Sequence, residues 1–189
     1  MIKKYKISEI FKSIQGEGSR CGTVMTFIRF AGCNIQCKFC DTDFTVKREM
    51  TVEQIVAECN TEWVCLTGGE PLMQTGLWDD PLMEELYRLR YSVALETNGM
   101  FRLSHHGFSH VTMSPKCKPE DIKLQTCTDI KVIYPCYNPN DYLEWIIAHS
   151  FANKYVQPEF GKEQAAIDFV MDNPEWRLSV QTQKYIGIK

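Results

Sequence analysis

The sequence predicts an α/β protein built on a parallel sheet, curled into an incomplete parallel (β/α)6-type barrel with some helices reduced to loops. Three observations carry this. Short apolar runs alternate with amphipathic helix-like segments along the 189 residues, the pattern of a parallel sheet. Polar or glycine-rich clusters follow the C-terminal ends of the strands, the edge where parallel α/β sheets bind ligands. Two connections, residues 100–109 and 117–128, lack helical periodicity, so helices are missing from the barrel.

The elements follow in order. Residues 24–30, VMTFIRF, form the first strong strand, and a cysteine-rich loop comes after it. Thr51 caps a helix over 51–59, with Glu53 in its first turn and Val52, Ile55, Val56 and Cys59 on one face. Residues 63–66 are a short buried strand that ends in Thr67-Gly68-Gly69-Glu70-Pro71. Asp80-Pro81 opens a helix with Leu82, Leu86 and Leu89 on one face. Residues 92–95 form a strand ending in Glu96-Thr97-Asn98-Gly99, and 110–113 one ending in Ser114-Pro115-Lys116. Strand 129–133 follows. Asn138-Pro139 caps a helix carrying Tyr142, Leu143, Ile146 and Ile147. Strand 154–156 ends in Gln157-Pro158. A helix over 163–171, a last strand over 177–181 and a short tail complete the chain.

The length suits one domain, 1–189, with a real core. Hydrophobic content of 44% and charged content of 24% are globular values. A net charge of −3 gives no basic surface for nucleic acid. The start, MIKKYKISEIF, is too short and polar for a signal or membrane segment, and no apolar run approaches spanning length. The expectation is a soluble cytoplasmic protein without membrane or nucleic-acid partners.

The chemistry starts at Cys33, Cys37 and Cys40, spaced C-x3-C-x2-C in AGCNIQCKFCDTDF. Three thiolates hold three irons of a four-iron cluster and leave the fourth open to a small molecule. Structural zinc prefers four ligands, often as paired cysteines or with two nearby histidines; no second pair follows, and His105, His106, His110 and His149 lie far along the chain. An odd count of nine cysteines speaks against a disulfide framework. Cys21, Cys59, Cys65, Cys117, Cys127 and Cys136 read as small apolar residues.

Gly68 and Gly69 permit close backbone approach to a ligand, and Glu70 can receive its ammonium; a plain turn is the alternative. An amino acid chelating the open iron through amine and carboxylate fits both sites, and S-adenosylmethionine is that ligand in radical chemistry. Ser13-Ile14-Gln15-Gly16-Glu17-Gly18 reads as a loop wrapping a planar polar ligand, with Gln15 and Glu17 on its hydrogen-bonding edge, or as a surface hairpin. Arg29, inside an apolar strand, needs a partner: a substrate carboxylate held by both arms of the guanidinium, or a structural acid such as Glu17. Ser114 and Lys116 offer a hydroxyl and an ammonium to a ribose or carboxylate, or form a turn. Phe39 stacks on a base or fills core. Thr42 can complete an oxygen-rich Mg2+ shell, with Asp41 and Asp43 as rival ligands.

The three-cysteine loop and GGEP resemble the radical S-adenosylmethionine superfamily. SIQGEG, the strand arginine, CDT, TGGEP, ETNG, SPK, a Gln-Pro pair and the ending WRLSVQTQKYIGIK resemble, in order and over nearly the whole chain, the 7-carboxy-7-deazaguanine synthase family. The resemblance implies a radical ring contraction of 6-carboxy-5,6,7,8-tetrahydropterin with loss of ammonia, on the route to queuosine-type deazapurines. It implies a [4Fe-4S] cluster on Cys33, Cys37 and Cys40, S-adenosylmethionine, and Mg2+ at Thr42. Ile14, Gln15, Gly16, Glu17, Arg29, Thr67 and the terminal carboxylate of Lys189 would hold the substrate. Phe39, Cys40, Asp41, Gly69, Glu70, Ser114, Pro115, Lys116, Gln157 and Pro158 would hold S-adenosylmethionine. A homodimer and an electron donor such as flavodoxin or ferredoxin are also implied. The tail departs from the family in placing Gln183 where His is common, though Gln still donates a hydrogen bond. A glycyl-radical activase would leave SIQGEG and Arg29 unexplained, and an iron–sulfur sensor needs a fourth ligand that is not apparent.

Overall fold

The structure, a computed structural model, describes residues 2–75, 79–103, 107–149 and 153–189. The sheet begins with β1 (Tyr5–Ile14), β2 (Val24–Phe30) and β3 (Arg48–Met50). β2 runs antiparallel to β1 with Glu9 opposite Arg29 and Ile14 opposite Val24, and β3 pairs on the other edge of β1. From β2 onward every added strand is parallel: β4 (Trp63–Gly68), β5 (Ser92–Thr97), β6 (His110–Met113), β7 (Asp129–Tyr134), β8 (Asn153–Pro158) and β9 (Arg177–Leu178). The order β3-β1-β2-β4-β5-β6-β7-β8-β9 has two free ends, so the barrel is open.

Strand side chains alternate between faces, and the two faces do different work. On the outer face Ile28, Leu66, Leu95, Val111, Ile130 and Val156 join Ile55, Leu82, Leu86, Ile146 and Trp176 in the main core. These come from α1 (Val52–Ala57), α3 (Pro81–Arg88), α4 (Leu143–His149) and, for Trp176, the turn that follows α5 (Glu163–Asp172), which itself buries Ala166; short α2 (Leu72–Thr75) and α6 (Thr182–Ile186) lie between and after them. The inner face starts with a small apolar floor, Met25, Phe27, Cys65 and Ala94. Further along the same face come Arg29, Thr67, Glu96, Thr112, Lys131 and Gln157, which line a cavity.

Caps explain the helix starts. Thr51 and Gln54 form a capping box on α1, and Asp80 accepts from Leu82 N and Met83 N ahead of Pro81 on α3, caps worth about 1 kcal/mol each. Several boundaries differ from expectation. β1 has no counterpart among the expected elements: its register shifts between Ile7 and Glu9, which breaks a two-residue period; β3, α2 and α6 are too short for periodicity to register. α3 stops at Arg88, leaving Leu89 as its cap. Asn138 caps a 3₁₀ turn, Pro139–Tyr142, before α4; Trp145 and Ile146 face the core and Ile147 does not. The last strand shrinks to two residues. Among the described residues of the two helix-poor connections only a 3₁₀ turn, Pro119–Asp121, is present; residues 104–106 lie outside the described residues.

Candidate active site

The β1–β2 loop, residues 15–23, folds across the end of the barrel where the parallel strands begin. Its 3₁₀ turn, Gly18–Arg20, is tied to the first residue of β7: Ser19 donates its backbone N–H and hydroxyl to Asp129, at 2.9 and 2.8 Å. Gly18 N donates to Ser179 Oγ at 2.9 Å, and Arg20 lies over the Trp63 ring at 4.2 Å. Asp129 also takes Asn153 Nδ2 and sits 3.3 Å from His110 Nε2. Burial acts to raise its pKa, and these donors hold it below the usual value.

That plug aims Gln15 and Glu17 into the barrel. Gln15 Nε2 donates to Glu96 Oε1 at 3.0 Å, Gln15 Oε1 accepts Glu17 N at 3.1 Å, and Thr67 Oγ1 donates to Glu96 Oε2 at 2.7 Å. Glu17 Oε2 pairs with the buried ammonium of Lys131. Its Oε1 accepts Gln181 Nε2 at 3.0 Å and Gln183 Nε2 at 2.9 Å. Burial acts to neutralise this carboxyl, but the Lys131 charge and these bonds hold its pKa at about 2. Burial likewise acts to lower the Lys131 pKa, and Glu17 and Glu96 raise it instead. Gly16 has no room for a side chain: a Cβ there would lie 1.8 Å from Gln183 Oε1 and 2.8 Å from Gln183 N.

Arg29 does not pair with Glu17. Its Nε donates to Glu9 Oε1 across the β1–β2 ladder at 2.8 Å, and Lys189 pairs with the other oxygen of Glu9. Tail residues thus reach the cavity wall, where Lys184 also meets Asp41.

The opposite end carries the cysteines. Their loop leaves β2 through Gly32, whose N–H donates to Phe44 O at 2.9 Å. Cys33, Cys37 and Cys40 all line the cavity. Burial raises the pKa of the Cys33 and Cys37 thiols. The turn after β4 packs hard against this loop: Gly69 N donates to Phe30 O at 3.1 Å, and a Cβ on Gly69 would lie 1.9 Å from Gly32 O. Gly68, at φ +121°, is likewise open only to glycine. Lys116 reaches Ser114 Oγ at 2.6 Å and lies 6.0 Å from the Phe39 ring centre. Burial and the Lys131 charge lower its pKa to about 8. Thr42 Oγ1 stands 3.4 Å from Asp41 Oδ1, so hard oxygen donors sit at the wall beside the soft thiols.

One cavity of about 730 Å³ joins the two ends. The predicted site residues line it, apart from Glu70 and Pro115. Glu70 is fully buried elsewhere: it accepts Thr97 Oγ1 at 2.8 Å, Asn98 N at 2.8 Å and Leu72 N at 3.0 Å. Its carboxylate therefore braces the GGEP turn rather than presenting an acceptor to a ligand ammonium. Asp43 turns to Lys47 and Thr45. Among the described buried side chains that line the cavity, Gln157 Oε1 and Gln183 Oε1 lack a hydrogen-bond partner. Sequence reasoning missed Lys131, Glu96, Glu9 and Gln181. The signal for Lys131 was the same as for Arg29, a cation inside an apolar strand.

The chain matches the radical SAM superfamily over residues 27–146. It is 40% identical to the 7-carboxy-7-deazaguanine synthase of Bacteroides thetaiotaomicron, over 97% of this chain and 98% of that protein. It is 35% identical to the enzyme of that name from Bradyrhizobium diazoefficiens, over 98% and 99%. Among solved structures it is similar to QueE from Escherichia coli, with TM-score 0.75, 25% identity, and 95% and 94% of the two chains covered. Taken with a three-cysteine loop and a carboxylate-bearing plug facing one cavity, these likenesses mean that the chain belongs to the 7-carboxy-7-deazaguanine synthase family of the radical SAM superfamily.

Proposed function

We propose that the protein converts 6-carboxy-5,6,7,8-tetrahydropterin to 7-carboxy-7-deazaguanine with release of ammonia. The observation that carries this reading is the polarity of the cavity. Its cysteine end suits a cluster and an amino-acid ligand, and its plug end suits a flat heterocycle that donates hydrogen bonds. Cys33, Cys37 and Cys40 would hold the [4Fe-4S] cluster, and it and S-adenosylmethionine, when bound, would supply the radical chemistry. The close pass of Gly69 over the cysteine loop supports a role for its backbone in holding the amino-acid part of S-adenosylmethionine. Ser114, Lys116, Phe39 and the free Gln157 Oε1 serve the rest of S-adenosylmethionine.

Glu17 accepts from the amino-bearing edge of the pterin, with Gln15 and Thr67 held in place by Glu96. Arg29 gives Nε to Glu9, leaving the outer nitrogens of its fork for the substrate carboxylate. Thr42 supplies an oxygen to Mg2+, an ion that keeps few protein ligands. The reading also includes a homodimer, a flavodoxin or ferredoxin as electron donor, and a cytoplasmic setting. The test is anaerobic: the cluster is reconstituted, dithionite, S-adenosylmethionine, Mg2+ and 6-carboxytetrahydropterin are added, and products are followed by mass spectrometry. 7-Carboxy-7-deazaguanine is expected, and Cys37→Ala should lose both cluster and product. Formation of 5′-deoxyadenosine without that product would leave the radical chemistry standing and the substrate wrong.

A further inference from the structure

We propose that Lys131 is a specificity-determining positioning residue: its ion pair fixes Glu17 as an acceptor-only group, so the cavity selects heterocycles that present an amino donor. The inference rests on the pterin reading above.

The geometry is specific. Lys131 lies mid-strand in β7 with 6% of its side chain exposed, and Glu17 with 12%. Glu17 comes from the plug and Lys131 from β7, two residues beyond the Asp129 that holds Ser19, and the pair meets in the barrel interior. An ionised carboxylate accepts about four hydrogen bonds and donates none. Lys131 takes one position on Oε2, and Gln181 and Gln183 take two on Oε1. A ligand edge with an N–H and an adjacent amino group therefore completes Glu17 once one glutamine amide yields. An edge with a carbonyl in place of the amino group meets a negative oxygen instead. Without Lys131, a buried Glu17 takes up a proton or swings away, and either change removes the discrimination. A cation is needed for this and a neutral donor is not enough, because Gln181 and Gln183 already supply neutral donors. Glu96 faces the same ammonium but is already engaged by Gln15 and Thr67, so it does not replace Glu17 as the ligand's acceptor.

The experiment compares binding of 6-carboxypterin and 6-carboxylumazine, its 2-oxo counterpart, to the reconstituted enzyme with S-adenosylmethionine and Mg2+, by anaerobic calorimetry. Wild type should prefer the pterin strongly. Lys131→Met should weaken pterin binding by about 30-fold or more, the usual scale for breaking a buried charge pair, while lumazine binding changes little and iron content stays the same. Lys131→Arg, which restores the charge, should recover most of the preference and covers the case in which the Met variant does not fold. Equal loss of both ligands in the Met variant, or loss of preference in the Arg variant, would overturn the proposal. A wild type that binds neither ligand would instead sink the pterin reading itself.

Discussion

Glu17 is a carboxylate that burial alone would neutralise and that its neighbours keep charged. The sign of its effect on stability follows. The unfolded chain takes up a proton at this group near 4.5, and the folded chain resists until about 2. Between those values the unfolded state binds more protons, so the contribution is complete above about 4.5 and fades as pH falls toward 2. Urea unfolding of wild type and Glu17→Gln, run from pH 7 down to about 3, should show wild type losing stability more steeply below about 4.5. Parallel curves would refute the assignment. At this scale the sequence was informative where a charge stood out against its surroundings. Arg29 in TFIRF and the acid in SIQGEG declared themselves, although Arg29 found Glu9 rather than Glu17 as partner. Lys131 in DIKVI gave the same signal but followed no glycine-rich cluster, so it passed as an ordinary strand residue. Glu70 misled because a motif names a residue without saying which way its carboxylate points.

Among the elements, the β1–β2 loop matters most for the substrate end. Its grip on β7 runs through Ser19 and Asp129, far from the cysteines. Ser19→Ala removes one hydroxyl bond to a carboxylate from an exposed position. It should reduce stability by about 1–2 kcal/mol and raise KM for the pterin several-fold, with kcat and cluster content nearly unchanged. A fall in kcat with KM constant would mean that the plug does not position the substrate loop. The parallel strands and three long-pattern helices were readable because each follows a single period. β1 was not, since the strand faces the core at one end and the cavity wall at the other, which breaks its alternation. The 3₁₀ turn before α4 escaped because its proline start looks like any helix start.

For the molecule as a whole, openness is the governing property. The gap between β9 and the β3–β1 edge of the sheet is crossed by the tail: Thr182 N donates to Gly16 O at 3.2 Å, Lys184 pairs with Asp41, and Lys189 pairs with Glu9. Exposed pairs of this kind contribute about 0–1 kcal/mol each, so the last residues of the strap, beyond Gln183, are weakly held. Deleting residues 184–189 should leave cluster assembly intact and shift Tm by only a few degrees, yet reduce turnover more than about tenfold. Full turnover in the shortened chain would show that the strap has no part in the reaction. The incomplete barrel could be inferred from connections too short for helices; the strap could not, because no local period records a contact between residues 16 and 182.

The two ends of the cavity also differ in which stretches of chain they need. The cysteine loop is held by Phe30, Gly32, Phe44 and the Gly69-Glu70 turn, with Asn98 bonding Asn34, all within the first hundred residues or so. The plug has its anchors at Asp129, Lys131, Ser179 and Gln183, and its long loops close only after those strands are in place. The cysteine end is thus braced largely from the first half of the chain, and the plug end from strands that come after it.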